Sequence, residues 1–194
     1  MSRLPRSFFN RPTLVVAREL LGQRLVKVER GRRLSGLITE VEAYVGEEDL
    51  ACHAKVGRTP RTEVMYWQPG HLYVYFTYGM HWMMNIVTER NGYPAAVLLR
   101  GIAATEGAAA MRRRRGRADH LTDGPAKIAQ ALGIDKRWNG IDLCARDSDM
   151  FIEAGNAVPD SDVVAAPRVG LGNTPEPWLS KPWNFSTNNE TMRQ

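Results

Sequence analysis

Apolar positions along the chain switch between helical spacing and the every-second-residue spacing of strands. Pro12-Thr13, followed by Leu14, Ala17 and Leu21 at i, i+3 and i+7 and then by Gly22, predicts a first helix. Residues 25–28 and 37–41 read as strands on either side of a turn at Glu29-Arg30-Gly31-Arg32. Regular alternation along the second strand puts Ile38, Glu40 and Glu42 on one face and Leu37, Thr39 and Val41 on the other. Residues 46–71 lose this periodicity and are punctuated by Gly46, Gly57, Pro60, Pro69 and Gly70. A loop of that length in a compact protein is expected to carry function.

The strongest strand signal follows, Leu72-Tyr73-Val74-Tyr75-Phe76-Thr77-Tyr78, broken at Gly79 and resumed over 80–87. It predicts a hairpin with an aromatic residue at its tip. A further strand is expected over 95–101, ending at Arg100, and a helix over 103–115 despite Gly107. Asp123-Gly124-Pro125 reads as a helix start with the acid as N-cap, Ile128, Ala131 and Leu132 as the buried stripe and Gly133 as the stop. Short strands are expected near Leu143 and Phe151 and over 165–169, with the polar end 186–194 frayed. Together these elements predict an α+β fold. It is one compact domain over 1–194, ordered over about 8–185, with a curved, mainly antiparallel sheet, a protruding β-hairpin and surrounding helices.

The chain has 194 residues, enough to bury a core without metal or disulfides. Its 26 Lys and Arg against 21 Asp and Glu permit a polyanionic partner without requiring one. The distribution says more: residues 1–33 carry nine basic and two acidic groups, and Arg112, Arg113, Arg114, Arg115 and Arg117 form a dense run. Six acids against Arg146 alone occupy 142–162, so one face of the molecule should attract phosphates. Cys52 and Cys144 form no C-x-x-C pair, which fits a reduced compartment. The N-terminus lacks the apolar run of a secretory signal, and no stretch approaches the ~18 apolar residues of a membrane span. No membrane partner is expected, and the location expected is the cytoplasm.

Three groups of residues could carry chemistry. Glu40 and Glu42, with Tyr44 two positions on, put carboxylates close enough to tune one another's protonation, although a solvent-facing pair would read the same way. Tyr73, Tyr75, Phe76 and Tyr78 would ordinarily be sheet core, but Tyr78 precedes the turn glycine, where burial is difficult. A rigid ring there can act as a wedge in a base stack, and rings further inside can sandwich an extruded base. Cys52, His53, His71 and His81 lack any metal-site spacing, and no phosphate-loop, dinucleotide or nucleophile-elbow motif is present, so no metal and no cofactor are expected. A carboxylate, aromatics, a histidine and basic patches point to a nucleic-acid-directed hydrolase.

Eight words, in order, sharpen that reading. They are Thr39-Glu40-Val41-Glu42-Ala43-Tyr44-Val45-Gly46, Asp49-Leu50-Ala51-Cys52-His53, Arg58-Thr59-Pro60-Arg61, Pro69-Gly70-His71-Leu72-Tyr73-Val74-Tyr75 with Tyr78-Gly79-Met80, Met84-Asn85, Val97-Leu98-Leu99-Arg100, Gly124-Pro125-Ala126-Lys127 and Arg168-Val169-Gly170. From about Phe8 to Phe185 the chain closely resembles the alkyladenine (3-methyladenine) DNA glycosylase family. The resemblance implies a monofunctional enzyme of base excision repair. Such an enzyme flips damaged purines of the 3-methyladenine, 7-methylguanine, hypoxanthine and ethenoadenine class out of duplex DNA and hydrolyses the N-glycosidic bond with an activated water. Water as nucleophile implies an abasic product without strand cleavage.

Residue by residue, the resemblance makes Glu42 the general base, with Arg100 and the backbone carbonyl of Val169 holding the water and Glu40 structural. Tyr44, His53 and Tyr75 match the base pocket, and Asn85 the side chain that crowds the amine of normal guanine. Tyr78 matches the residue that fills the vacated stack, with Met80 beside it at the tip. Phosphate contacts would fall to Arg58, the backbone around Met65, Arg112 to Arg115 and Lys127. His81 and Glu63 depart from the eukaryotic pattern, at the tip and in the phosphate loop respectively. The short N-terminus fits a bacterial, nucleoid-associated enzyme, and the family implies a monomer acting on double-stranded DNA. Two rival readings are a non-catalytic damaged-DNA-binding module and a metal-dependent nuclease; Glu42 argues against the first, and the missing ligand spacing against the second.

Overall fold

A computed structural model describes residues 2–188. Two short helices, α1 (Arg6–Phe9) and α2 (Thr13–Leu20), lead into β1 (Arg24–Glu29) and β2 (Arg32–Val45), which form the hairpin expected at Glu29-Arg30-Gly31-Arg32. Strands β3 (Leu72–Thr77) and β4 (His81–Val87) form the second hairpin, and β5 (Ala95–Glu106) joins it to the rest. Helices α3 (Ala108–Arg115) and α4 (Pro125–Leu132) follow, then three four-residue strands, β6 (Met150–Glu153), β7 (Val163–Ala166) and β8 (Asn184–Thr187). The sheet runs β3-β4-β5-β2-β1-β6 with every pairing antiparallel, and β8 joins β2 alongside Glu40, Val41 and Glu42. This is the curled antiparallel α+β fold that the strand pattern predicts.

Alternation divides the two faces of this sheet. Val41 and Ala43 of β2, Val97 and Leu99 of β5, Met84 and Ile86 of β4 and Leu72 and Val74 of β3 point into the main core, against which α2 and α4 pack. Their neighbours Tyr44, Ala96, Val87 and Tyr73 face the other way and join Cys52, Ala54, Val64, Met65 and Tyr66 in a smaller apolar cluster. The long loop, which contains only single 3₁₀ turns at His53–Val56 and Glu63–Tyr66, therefore roofs the second face of the sheet. Among the described residues no helix is long and apolar enough to cross a membrane.

Irregularities in the β2–β5 pairing move Ile38 from the face where simple alternation puts it. The register jumps between Ile38 and Glu40, and again between Glu40 and Val41, leaving Thr39 on one strand and Arg100 on the other without a directly paired partner. Ile38 consequently joins Val41 and Ala43 in the core instead of sharing a face with Glu40 and Glu42. Gly101 permits this close approach: a Cβ there would lie 2.8 Å from Thr39 Oγ1 and 3.1 Å from Glu40 Cβ. Arg100 lies within a twelve-residue strand and not at its end.

Other boundaries also shift. In α2 the buried face is Thr13, Val16, Ala17 and Leu20, while Leu14 is half exposed, because the helix starts one residue after Pro12 and ends before Leu21. The first part of the expected 103–115 helix is strand, and Gly107, at positive φ, turns the chain into α3. Gly124 rather than Asp123 caps α4; Asp123 instead binds His120 and Lys127. Leu143 follows an isolated bridge between His71 and Asp142 instead of forming a strand. Ser186 and Thr187, expected to fray, belong to β8, where pairing to β7 buries Thr187 completely. Residues 189–194 of that tail lie outside the described residues.

Candidate active site

Glu42 is the centre of a converging set of donors. Its side chain is fully buried on the pocket face of β2, where Val169 N–H donates to Oε1 at 2.6 Å and Tyr44 O–H donates to Oε2 at 2.9 Å. Asn184 Nδ2 donates to Oε1 at 3.2 Å, and Arg100 Nε lies 3.4 Å from the same oxygen. Arg100 Nε and Asn184 also reach Glu40 Oε1, each at 2.9 Å, so Glu40 stands behind Glu42 as a partner of its donors. Strands β5 and β8 both pair with β2 and bring Arg100 and Asn184 to Glu42, while Val169 comes from the segment after β7. Val169 meets Glu42 through its backbone N–H, and the residue lines the cavity beside it.

A cavity of about 370 Å³ opens over this carboxylate and is lined by Tyr44, His53, Tyr75 and Asn85, as well as by Tyr73 and Arg100. His53 meets Tyr75 edge to face with centroids 4.4 Å apart, and its Nδ1 lies 3.0 Å from the Tyr73 hydroxyl. Burial, then the Arg61 and Lys55 charges, hold the His53 imidazole down to about 4, so it is neutral at physiological pH. Burial, followed by the Glu42 charge, pushes the Tyr44 phenol well above 10, which keeps its proton available to Glu42. Burial likewise pushes Tyr75 up to about 12. Asn85 is held by a 3.1 Å bond to the Tyr73 carbonyl, leaving its side chain fixed at the cavity wall.

The hairpin tip projects beside the cavity. Tyr78 and Met80 are 79% and 66% exposed, and both Tyr78 and Gly79 have positive φ. A bulky residue in that conformation costs on the order of 1 kcal/mol or more, so the turn keeps the ring outward against local preference.

The expected phosphate contacts are gathered less well. Arg58 is locked in a two-pronged ion pair with Glu63, at 2.8 and 2.7 Å, and Lys127 pairs with Asp123 at 3.0 Å. The Met65 N–H already donates to the Thr62 carbonyl within its 3₁₀ turn, and the side chain is buried against the cavity. Among Arg112 to Arg115, Arg115 bonds Gln130 and the His120 carbonyl and Arg114 bonds Glu29, which leaves Arg112 and Arg113 as the exposed members. None of the four lines the cavity. Among the described residues no three His, Cys, Asp or Glu side chains are grouped as metal ligands would be.

Three contributors escape a reading of sequence alone. Asn184 arrives from a strand that pairs across some 140 residues, and nothing local marks it. Asp49 and Arg168 stand within the quoted words, but their pairing is visible only in space: both side chains are fully buried and joined at 2.5 and 2.9 Å. Arg168 also donates to the Ala43 and Trp178 carbonyls and lies over the Tyr44 and Trp183 rings at 4.7 and 5.0 Å. This clamp ties the segment bearing Val169 to the strand bearing Glu42.

Comparison with known proteins adds to the geometry. The family model described as Methylpurine-DNA glycosylase (MPG) matches residues 7–191. A protein of Methanocella arvoryzae is 46% identical over 192 residues, covering 97% of this chain and 94% of its own length. Relatives from Myxococcus xanthus and Desulfitobacterium hafniense are 45% and 43% identical, each covering 95% of this chain and 90% and 95% of their own lengths, respectively. All three carry the name "Putative 3-methyladenine DNA glycosylase".

Proposed function

The chain belongs to the methylpurine-DNA glycosylase family, and on that premise we propose that it turns damaged purines out of duplex DNA and hydrolyses their N-glycosidic bonds through a water activated by Glu42. As a DNA glycosylase of repair it is a hydrolase of N-glycosyl bonds. The proposal extends to the lesion class, 3-methyladenine, 7-methylguanine, hypoxanthine and ethenoadenine, and to an abasic product without strand cleavage. The observation that carries it is the Glu42 carboxylate, held by Val169, Tyr44, Asn184 and Arg100 beneath a cavity walled by aromatic rings.

Extruding a nucleotide costs a few kcal/mol, least where a lesion has weakened pairing. Tyr78, rigid and exposed at the hairpin tip, offsets that cost by filling the vacated stack. The extruded base then lies among Tyr44, His53 and Tyr75, with Asn85 crowding the exocyclic amine of an undamaged guanine. Glu42 takes the proton of the attacking water, and its charge stabilises the cation developing on the sugar. The Tyr44 phenol retains its own proton and steadies the second carboxylate oxygen.

The attacking water would reach Glu42 from the cavity and be held by Arg100 and the Val169 carbonyl, both at the cavity wall. We also propose a monomer that acts on DNA in the cytoplasm.

The test is direct. Duplexes with a single hypoxanthine or ethenoadenine are incubated with the protein in EDTA and then treated with alkali. Alkali-dependent cleavage at the lesion is the expected result. Binding without base release would leave a lesion-binding module, and EDTA-sensitive nicking before alkali would make the protein a nuclease; either result overturns the proposal.

A further inference from the structure

The cavity is electrically polar, and the polarity involves two side chains that play no part in the hydrolysis just described. Glu42 stands at one end. At the other, the Arg61 guanidinium lies 5.4 Å from the centroid of the Tyr75 ring, and the Tyr73 phenol contacts His53 Nδ1 at 3.0 Å. Lys55 lines the same cavity, with its Nζ bonded to the Leu50 carbonyl. Among the described residues neither Arg61 nor Lys55 has a carboxylate partner. Tyr75, between the two ends, responds to both Arg61 and Glu42, in opposite directions.

His53 Nδ1 is engaged by the Tyr73 hydroxyl, so Nε2 is the ring nitrogen with no partner among the described residues.

We propose that Arg61, seated over the Tyr75 ring and assisted by Lys55, biases excision toward purines that are uncharged before they leave. This rests on the glycosylase reading above. When a neutral purine departs, the C1′–N9 bond breaks and its electron pair goes to the base; the water oxygen bonds to C1′, its proton passes to Glu42, and the anionic base afterwards takes a proton from solvent. Negative charge therefore grows near the Arg61 and Lys55 cations, whose prepositioned charge lowers the barrier. A purine with a formal positive charge leaves as a neutral molecule, gains nothing from these cations, and meets like charge as it enters.

Single-turnover excision of hypoxanthine and of 7-methylguanine from otherwise identical duplexes tests the idea, at fixed salt and with saturating enzyme. Arg61 is exposed, so Arg61→Gln leaves the core untouched. It should slow hypoxanthine release about tenfold, the effect of one unit charge several ångströms away in a partly solvated site, while 7-methylguanine release changes less than about twofold. Arg61→Lys should hold the wild-type ratio within about threefold, and Lys55→Gln should shift it in the same direction as Arg61→Gln. Equal slowing of both lesions would overturn the proposal. So would an equal loss of binding to both duplexes with a flatter salt dependence, which would make Arg61 a phosphate contact. Failure of the wild-type protein on every lesion would count against the glycosylase reading instead.

Discussion

Replacing Asp49 with asparagine should cost the protein a large part of its stability, although residue 49 touches no substrate in the scheme above. The carboxylate receives two Arg168 donors, at 2.5 and 2.9 Å, together with the backbone N–H groups of Val45 at 3.2 Å and Ala51 at 3.0 Å. Both side chains of the pair are fully buried. An amide keeps the shape and can still accept from the backbone, but it removes the counter-charge and turns an NH₂ group toward the guanidinium. Leaving one member of a buried pair uncompensated costs about 3–5 kcal/mol. For a chain of this length that corresponds to a fall in Tm of about 10 °C. Urea titration of wild type and Asp49→Asn without DNA, followed by secondary-structure content, measures the difference. A loss below about 1 kcal/mol would mean that the pair is wet or dispensable, and the clamp between Arg168 and β2 would fall with it. Because the same clamp sets Val169 N–H on Glu42, excision per folded molecule should fall as well.

Three further outcomes follow from the geometry. Tyr78→Asn relieves a bulky residue at positive φ, so stability should rise by up to about 1 kcal/mol while affinity for a lesion duplex drops about tenfold; unchanged affinity would remove the wedge role. Glu63→Gln frees Arg58 from its ion pair, and the log–log salt slope of DNA binding should steepen by about one, whereas an unaltered slope would show that Arg58 stays off the phosphates. His53 has a folded value of about 4 against 6.5 when unfolded, so below pH 6.5 the unfolded chain binds the extra proton. Stability should therefore decline by a one-proton slope as pH falls from about 6.5 toward 4 and be indifferent to this group above 6.5; His53→Gln should flatten that decline, and an unchanged pH profile would refute the buried neutral state.

Local pattern carried much of this architecture. The two hairpins, the aromatic tip and the α4 stripe of Ile128, Ala131 and Leu132 each depend on turn residues and spacing within a dozen positions, where sequence speaks directly. The words shared with the glycosylase family located Glu42, Tyr44, His53, Tyr75 and Asn85, and the fold gathers them at one cavity. What stayed hidden is non-local. The displacement of Ile38 from the Glu42 face comes from bulges paired across β2 and β5, which alternation within one strand cannot reveal. The expected strand over 95–101 puts Arg100 at its end, yet pairing with β2 carries the strand on to Glu106. Asn184 reaches Glu42 only because β8 closes on β2. At Arg58, Lys127 and Arg115 a basic residue in sequence does not disclose the neighbouring acid or amide that it binds in the fold.

The central claim is that the Glu42 carboxylate activates the attacking water, and Glu42→Gln tests it with the least disturbance of shape. Single-turnover base release and lesion-duplex affinity should be measured side by side on this variant. Loss of general-base catalysis predicts a rate lowered by a factor of about 10² to 10⁴, with affinity held within about threefold. Base release within tenfold of wild type, at equal affinity, would contradict the account and move the chemistry away from Glu42.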